Sequence, residues 1–189
     1  MIIAIKEKDR IVVGCTFAYD FDGLPISDSV DPDNLPLAIT PSGRIYGFVS
    51  LMRASDLLLY DEEFKKIEAT PKAIVREMIP YMKKAFKENG IPIGKDEYWK
   101  NALVICEGDH LYDIDTSFNF SEISDYVCHG IDTHVLRSVL DLTEGKPAEE
   151  RIVEAIRFYD TIKRRNDFPI VITDTQTRRF TCVYEGGEK

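Results

Sequence analysis

The sequence predicts an α+β protein, a four-layer α-β-β-α sandwich in which two stacked antiparallel sheets carry helices on both outer faces. Three observations predict it. Strongly apolar runs come in pairs joined by short polar turns, which is the pattern of hairpins. Those runs are apolar at nearly every position, so each sheet needs a covering layer on both faces. Helical periodicity falls in two separate blocks, one after the second hairpin and one before the last. The 189 residues suit one domain over 1–189, with no internal repeat and no linker.

The elements follow in order. Ile2 to Ile5 and Ile11 to Cys15 are apolar runs around the polar connection Lys6 to Arg10, a first hairpin. Thr16 to Asn34 is rich in Asp, Ser, Pro and Gly and reads as a long loop. "LPLAIT" and "IYGFVSL" flank the turn "PSGR" in a second hairpin. "ASDLLLYDEEFKKI" predicts one short helix. Thr70 caps a longer one with Pro71 at its first position, and Gly90 stops it. Pro80 lies inside that helix and predicts a kink. "ALVICEG" and "HLYDIDT" form a third hairpin around Gly108-Asp109, "DYVCHG" a short strand, and "DTHVLRSVLDL" a short helix. Pro147 opens the last helix, whose apolar face is Ile152, Ile156, Tyr159 and Ile162. "FPIVITDT" and "RRFTCVYE" close the fold as a final hairpin. Ile3, Ile5, Val12 and Val104 are expected between the two sheets.

The net charge of −9 disfavours nucleic acid and anionic membranes as partners, because both reward basic patches. No run approaches the length of a membrane span. The start lacks the charged and apolar regions of a secretory signal, so a cytoplasmic location is expected. Cys15, Cys106, Cys128 and Cys182 form no CxxC pair and read as reduced thiols, mostly small core residues. Cys128 and His129 are neighbours on a strand and point to opposite faces, so they share no metal. Asp20, Asp22, Asp31 and Asp33 have oxygen-ligand character without the spacing of a calcium loop. They read as a solvated acidic loop. No metal and no cofactor is expected, and the three histidines define no triad by spacing.

Three stretches carry a resemblance: "IAIKEKDRIVVGCT", "GRIYGFVSLMRASDLLL" and "ALVICEGDHLYDIDTSFNFSEISDYVCHGIDTHVLRSVLD". Their order and spacing resemble the proteasome-type N-terminal nucleophile hydrolases, both proteasome β-subunits and the bacterial ATP-dependent protease peptidase subunit. The resemblance implies a first-residue threonine that attacks a peptide carbonyl while its own amine takes up the proton. It implies an acid on the second strand and a lysine at the start of the next hairpin. Here those positions fall at Met1, Thr16 and Pro36, and removal of Met1 would expose Ile2. No lysine occurs between Lys8 and Lys65. Two glycines usual in the second stretch are replaced by Ser50 and Arg53. The glycine turn is Gly130, followed by Ile131 where a serine is usual, and the late aspartate falls near Asn166. The cleft is thus expected to be lined by Met1, Thr16, Pro36, Ser50, Gly130 and Asn166.

Two readings stay open. The first is a subunit of this fold without its catalytic set, a pseudoenzyme that assembles or binds. Homo-oligomerisation, as far as a ring, is implied by the resemblance. The helix from Pro71 to Asn89 adds apolar surface for it in Met78, Tyr81, Met82 and Phe86. The second reading is an active hydrolase, either a threonine-type peptidase or an amidase that cuts Gly14-Cys15 and uses Cys15 as nucleophile. Substrate, ring size and any ATPase partner are not legible, because fold does not fix function.

Overall fold

The structure is a computed structural model that describes residues 1–16, 20–21, 24–25, 35–49, 52–91, 93, 102–130, 132–163 and 169–184. The opening hairpin forms as the sequence predicts, from β1 (Ile2–Lys6) and β2 (Ile11–Thr16). Two-residue strands β3 (Asp20–Phe21) and β4 (Leu24–Pro25) pair inside the segment expected as a loop. The second hairpin is β5 (Leu37–Ile39) and β6 (Ile45–Val49). Helices α1 (Met52–Leu59), α2 (Glu62–Lys66), α3 (Pro71–Ala73) and α4 (Ile79–Glu88) follow. The third hairpin is β7 (Ala102–Glu107) and β8 (His110–Ile114), then β9 (Phe120–Ile123) and β10 (Tyr126–His129). Helices α5 (Thr133–Leu142) and α6 (Ala148–Lys163) precede β11 (Ile170–Asp174) and β12 (Thr181–Tyr184).

One five-stranded sheet has the order β10-β1-β2-β11-β12 and the other β5-β6-β7-β8-β9. All their pairings are antiparallel. Three apolar layers hold four structural layers together. Ile2, Ala4, Ile11 and Val13 of the first sheet meet Ile45, Val104 and Leu111 of the second. Leu136, Leu140, Ile152 and Ile156 of α5 and α6 cover the first sheet's outer face. Leu58, Phe64, Ile74, Met82 and Phe86 cover the second's. The α-β-β-α sandwich is therefore present.

The expected facing of the first hairpin is corrected. Val104 lies between the sheets, but Ile3, Ile5 and Val12 pack against α5 and α6 instead. Their neighbours Ile2, Ala4, Ile11 and Val13 point inward. A strand that is apolar throughout carries no alternation to fix its phase. Close approach fixes it in space: a Cβ on Gly14 would lie 2.4 Å from Cγ2 of Ile152, so only glycine lets α6 sit this near to β2.

The helix expected as one piece before Thr70 splits at Tyr60. Asp61 caps α2, its Oδ1 accepting from the amides of Glu63 at 2.9 Å and Phe64 at 3.2 Å. The helix after Thr70 is interrupted ahead of Pro80 by a π turn over Ile74–Met78, in which the Ile79 amide reaches back to the Ile74 carbonyl. Proline lacks an amide hydrogen and crowds the preceding turn, and the wider π turn absorbs both effects. Met78, Met82 and Phe86 are fully buried within the chain. These three supply no surface for self-association, contrary to the expectation from sequence, because the kinked helix turns them onto the sheet; Tyr81, the fourth residue of that expectation, is only partly buried. Among the described residues, no helix is long and apolar enough to cross a membrane.

Candidate functional site

Strand register gathers the predicted cleft residues at one end of the first sheet. Ile2 stands opposite both Cys15 and His129, and Thr16 stands opposite Ile170. Met1, Thr16 and Gly130 are therefore neighbours. The Thr16 amide donates to the Met1 carbonyl at 3.2 Å. Gly130 adopts φ +146°, and a Cβ there would lie 3.3 Å from Cγ of Met1. Conformation and space both call for glycine at this turn.

The second sheet reaches the same end. A Cβ on Gly47 would lie 3.2 Å from Cδ1 of Ile2 and 3.2 Å from Cδ2 of Leu37. Pro36 immediately precedes Leu37, and its carbonyl accepts from the Phe48 amide at 2.8 Å. Met1, Thr16, Pro36 and Gly130 thus frame one end of the sandwich. Ser50 and Asn166 lie outside the described residues. So does most of the acidic segment from Asp20 to Asp33, none of whose side chains is described.

The chemistry available at this end is limited. The Met1 α-amino group is held below its ordinary pKa by burial, against the pull of Cys15 and of the Asp160 carboxylate on α6. The Cys15 thiol is pushed up to about 12 by burial, with the Met1 amine opposing. It is therefore protonated at neutral pH, and a protonated thiol is a poor nucleophile. Cys15 also sits within β2, between β1 and β11, so the Gly14-Cys15 bond lies inside a paired strand. The Oγ1 atoms of Thr16 and Thr173 are buried with no hydrogen-bond partner among the described residues.

One polar pair here was not legible from spacing. His129 Nε2 lies 2.7 Å from Oδ1 of Asp113, joining β10 of the first sheet to β8 of the second. Alternation puts His129 on the face of Val127 and Asp113 on that of Leu111, both in the core between the sheets. Cys128 packs on the opposite, helical side. Only knowledge of which strands stack would have paired a histidine and an aspartate 16 residues apart.

Comparison with known proteins follows the fold. No family model and no curated protein matches this chain. Thiobacillus denitrificans BPH in complex with epoxomicin matches over 100% of both chains, at 12% identity and a TM-score of 0.70. Anbu (ancestral beta-subunit) from Yersinia bercovieri matches over 97% of this chain and 87% of its own, at 12% identity and a TM-score of 0.65. Eukaryotic HslV from Trypanosoma brucei matches over 90% of this chain and 97% of its own, at 14% identity and a TM-score of 0.60. The chain shares their proteasome-like N-terminal nucleophile hydrolase fold.

Proposed function

We propose that this chain is a proteasome-like subunit without a working catalytic set, which acts by assembly or binding and associates with copies of itself. The observation that carries this reading is the set of residues framing the cleft end. Pro36 stands where the resemblance implies a lysine, and no lysine occurs anywhere between Lys8 and Lys65. Thr16 stands where an acid is implied, and Met1, Ile2 and Ile3 offer neither hydroxyl nor thiol. The lysine and acid positions are internal, so this support does not depend on which residue opens the mature chain. Loss of lysine and acid removes the groups that would tune an amine base. The single domain over 1–189 and a cytoplasmic setting belong to the same reading, the latter supported by reduced and mostly buried cysteines.

The active-hydrolase reading through Cys15 is disfavoured by that thiol's burial and by its place in a strand paired on both sides. One experiment separates the two. The full-length protein is incubated with epoxomicin, the ligand of the Thiobacillus denitrificans complex, and separately with a cysteine-directed electrophile, and intact mass is measured beside hydrolysis of fluorogenic peptides. The expected result is no epoxomicin adduct, no electrophile adduct within residues 1–16, and no hydrolysis. An adduct at Cys15 or Thr16 that disappears when that residue is mutated would establish the hydrolase instead.

A further inference from the structure

The kinked helix that runs from α3 through the π turn to α4 has two unlike sides. Ile74, Met78, Met82 and Phe86 are buried against the second sheet. Lys72, Arg76, Lys84 and Lys87 are exposed, with Pro80 exposed among them. Steps of four from Lys72 through Arg76 and Pro80 to Lys84, then of three to Lys87, keep these residues on one side of the helix. Among the described residues, Lys72, Arg76 and Lys87 form no ion pair, and Lys84 reaches only Glu88, at 3.9 Å. The chain as a whole carries a net charge of −9. A cationic helix face that its own chain leaves unneutralised is a local exception on such a surface.

A complementary surface lies in the same helical layer. Asp56, Leu57, Tyr60, Asp61 and Glu62 line an open concavity of about 550 Å³, with no basic residue among them. Asp61 is committed to capping α2 and to Tyr81, and Glu62 to Lys65. The Asp56 carboxylate has no partner among the described residues. Partial burial raises it above its ordinary range, and a cation placed beside it would reverse that shift. Tyr60 is 73% exposed, an aromatic face on which a guanidinium can rest. We propose that the cationic face of α3 and α4 docks on the Asp56–Tyr60 concavity of a second copy of this chain. Nucleic acid or an anionic membrane could meet the same cations, but the acidic remainder of the chain would repel either one. The two patches are unlike, so the contact is heterologous: it runs head to tail and makes a ring where the rotation closes. The proposal rests on the self-association reading above and names the two surfaces that carry it.

The test uses the full chain. Light scattering across a concentration series is expected to give masses above 21.6 kDa that fall as salt is raised from about 0.1 M to about 1 M, because exposed charges are screened. One variant carries Lys72→Glu with Arg76→Glu, and another carries Asp56→Ser with Tyr60→Ser. Each should raise the dissociation constant by at least about tenfold while leaving the melting temperature of the folded chain in place. Each also keeps one of the two patches intact. Mixing the two variants should therefore restore a single contact and give a one-to-one dimer that grows no further. An oligomer unchanged in both variants would overturn this contact and leave self-association standing. A mixture that stays monomeric, although each variant has dissociated, would show that the two patches are not each other's partners and would overturn it as well. A wild-type monomer at every concentration would overturn both the contact and self-association.

Discussion

Cys15 shows at the scale of one residue how packing limits chemistry. Its thiol has an ordinary pKa of 9.0, pushed up to about 12 by burial. Between these values the unfolded chain has given up a proton that the folded chain keeps. Stability therefore falls as pH rises through that window, and the contribution is fully present below about pH 9. Cys106 is pushed upward by burial in the same direction, so the alkaline slope has more than one source. Cys15→Ala should remove one share of it, up to about 1.4 kcal/mol per pH unit. Urea unfolding of both proteins from about pH 8 to about pH 11 reads the difference, and parallel slopes would refute the assignment. The same protonated state is what supports the proposal that Cys15 is a core residue rather than a nucleophile.

At the scale of elements, Asp61, at the break between α1 and α2, ties α2 to α4. It caps α2 through Oδ1, and its Oδ2 accepts from the Tyr81 hydroxyl of α4 at 2.6 Å. Burial raises the Asp61 carboxyl, and the bonds from Tyr81, Phe64 and Glu63 outweigh it and hold the group below its ordinary range. Asp61→Ala should cost about 1–2 kcal/mol, the size of a lost cap. Part of that cost should vanish in a Tyr81→Phe background, as a double-mutant cycle in urea would show. The cap was legible in hindsight, since Asp-Glu-Glu-Phe is an N-terminus signature. The hairpins and most helices were legible outright, because polar turns, Thr70-Pro71 and Gly90 punctuate apolar runs. The inward face of β1 was not, because Ile-Ile-Ala-Ile has no polar residue to set its phase. β9 was missed for the opposite reason: Phe-Ser-Glu-Ile is half-exposed, with too little apolar character to announce a strand. The placing of Met1, Thr16, Pro36 and Gly130 at one end of the sandwich followed from the order of elements, whereas His129 with Asp113 needed the third dimension.

For the whole molecule, the question is what holds two sheets at a fixed separation where the cleft would be. Most of the contact is apolar and without direction, and Ile2 against Gly47 fills the space beside Met1. The bond from His129 to Asp113 adds a directional link across the same gap, with side-chain exposures of 17% and 13%. A hydrogen bond to a charged, largely buried group contributes about 1.5–3 kcal/mol, and stranding one partner costs more than removing both. His129→Phe and Asp113→Ala should therefore each destabilise the protein, with Asp113 left unpaired in the first case and His129 in the second. The double variant should be more stable than the sum of the two losses implies. A coupling energy of about 1 kcal/mol or more from denaturant unfolding would establish the link as a unit, since independent sites add to within about 0.5 kcal/mol. Additive losses would mean instead that apolar packing alone sets the sheet separation. In that case this end of the sandwich would owe its geometry to the apolar residues that stand there, Met1 and Pro36 among them, rather than to a polar link.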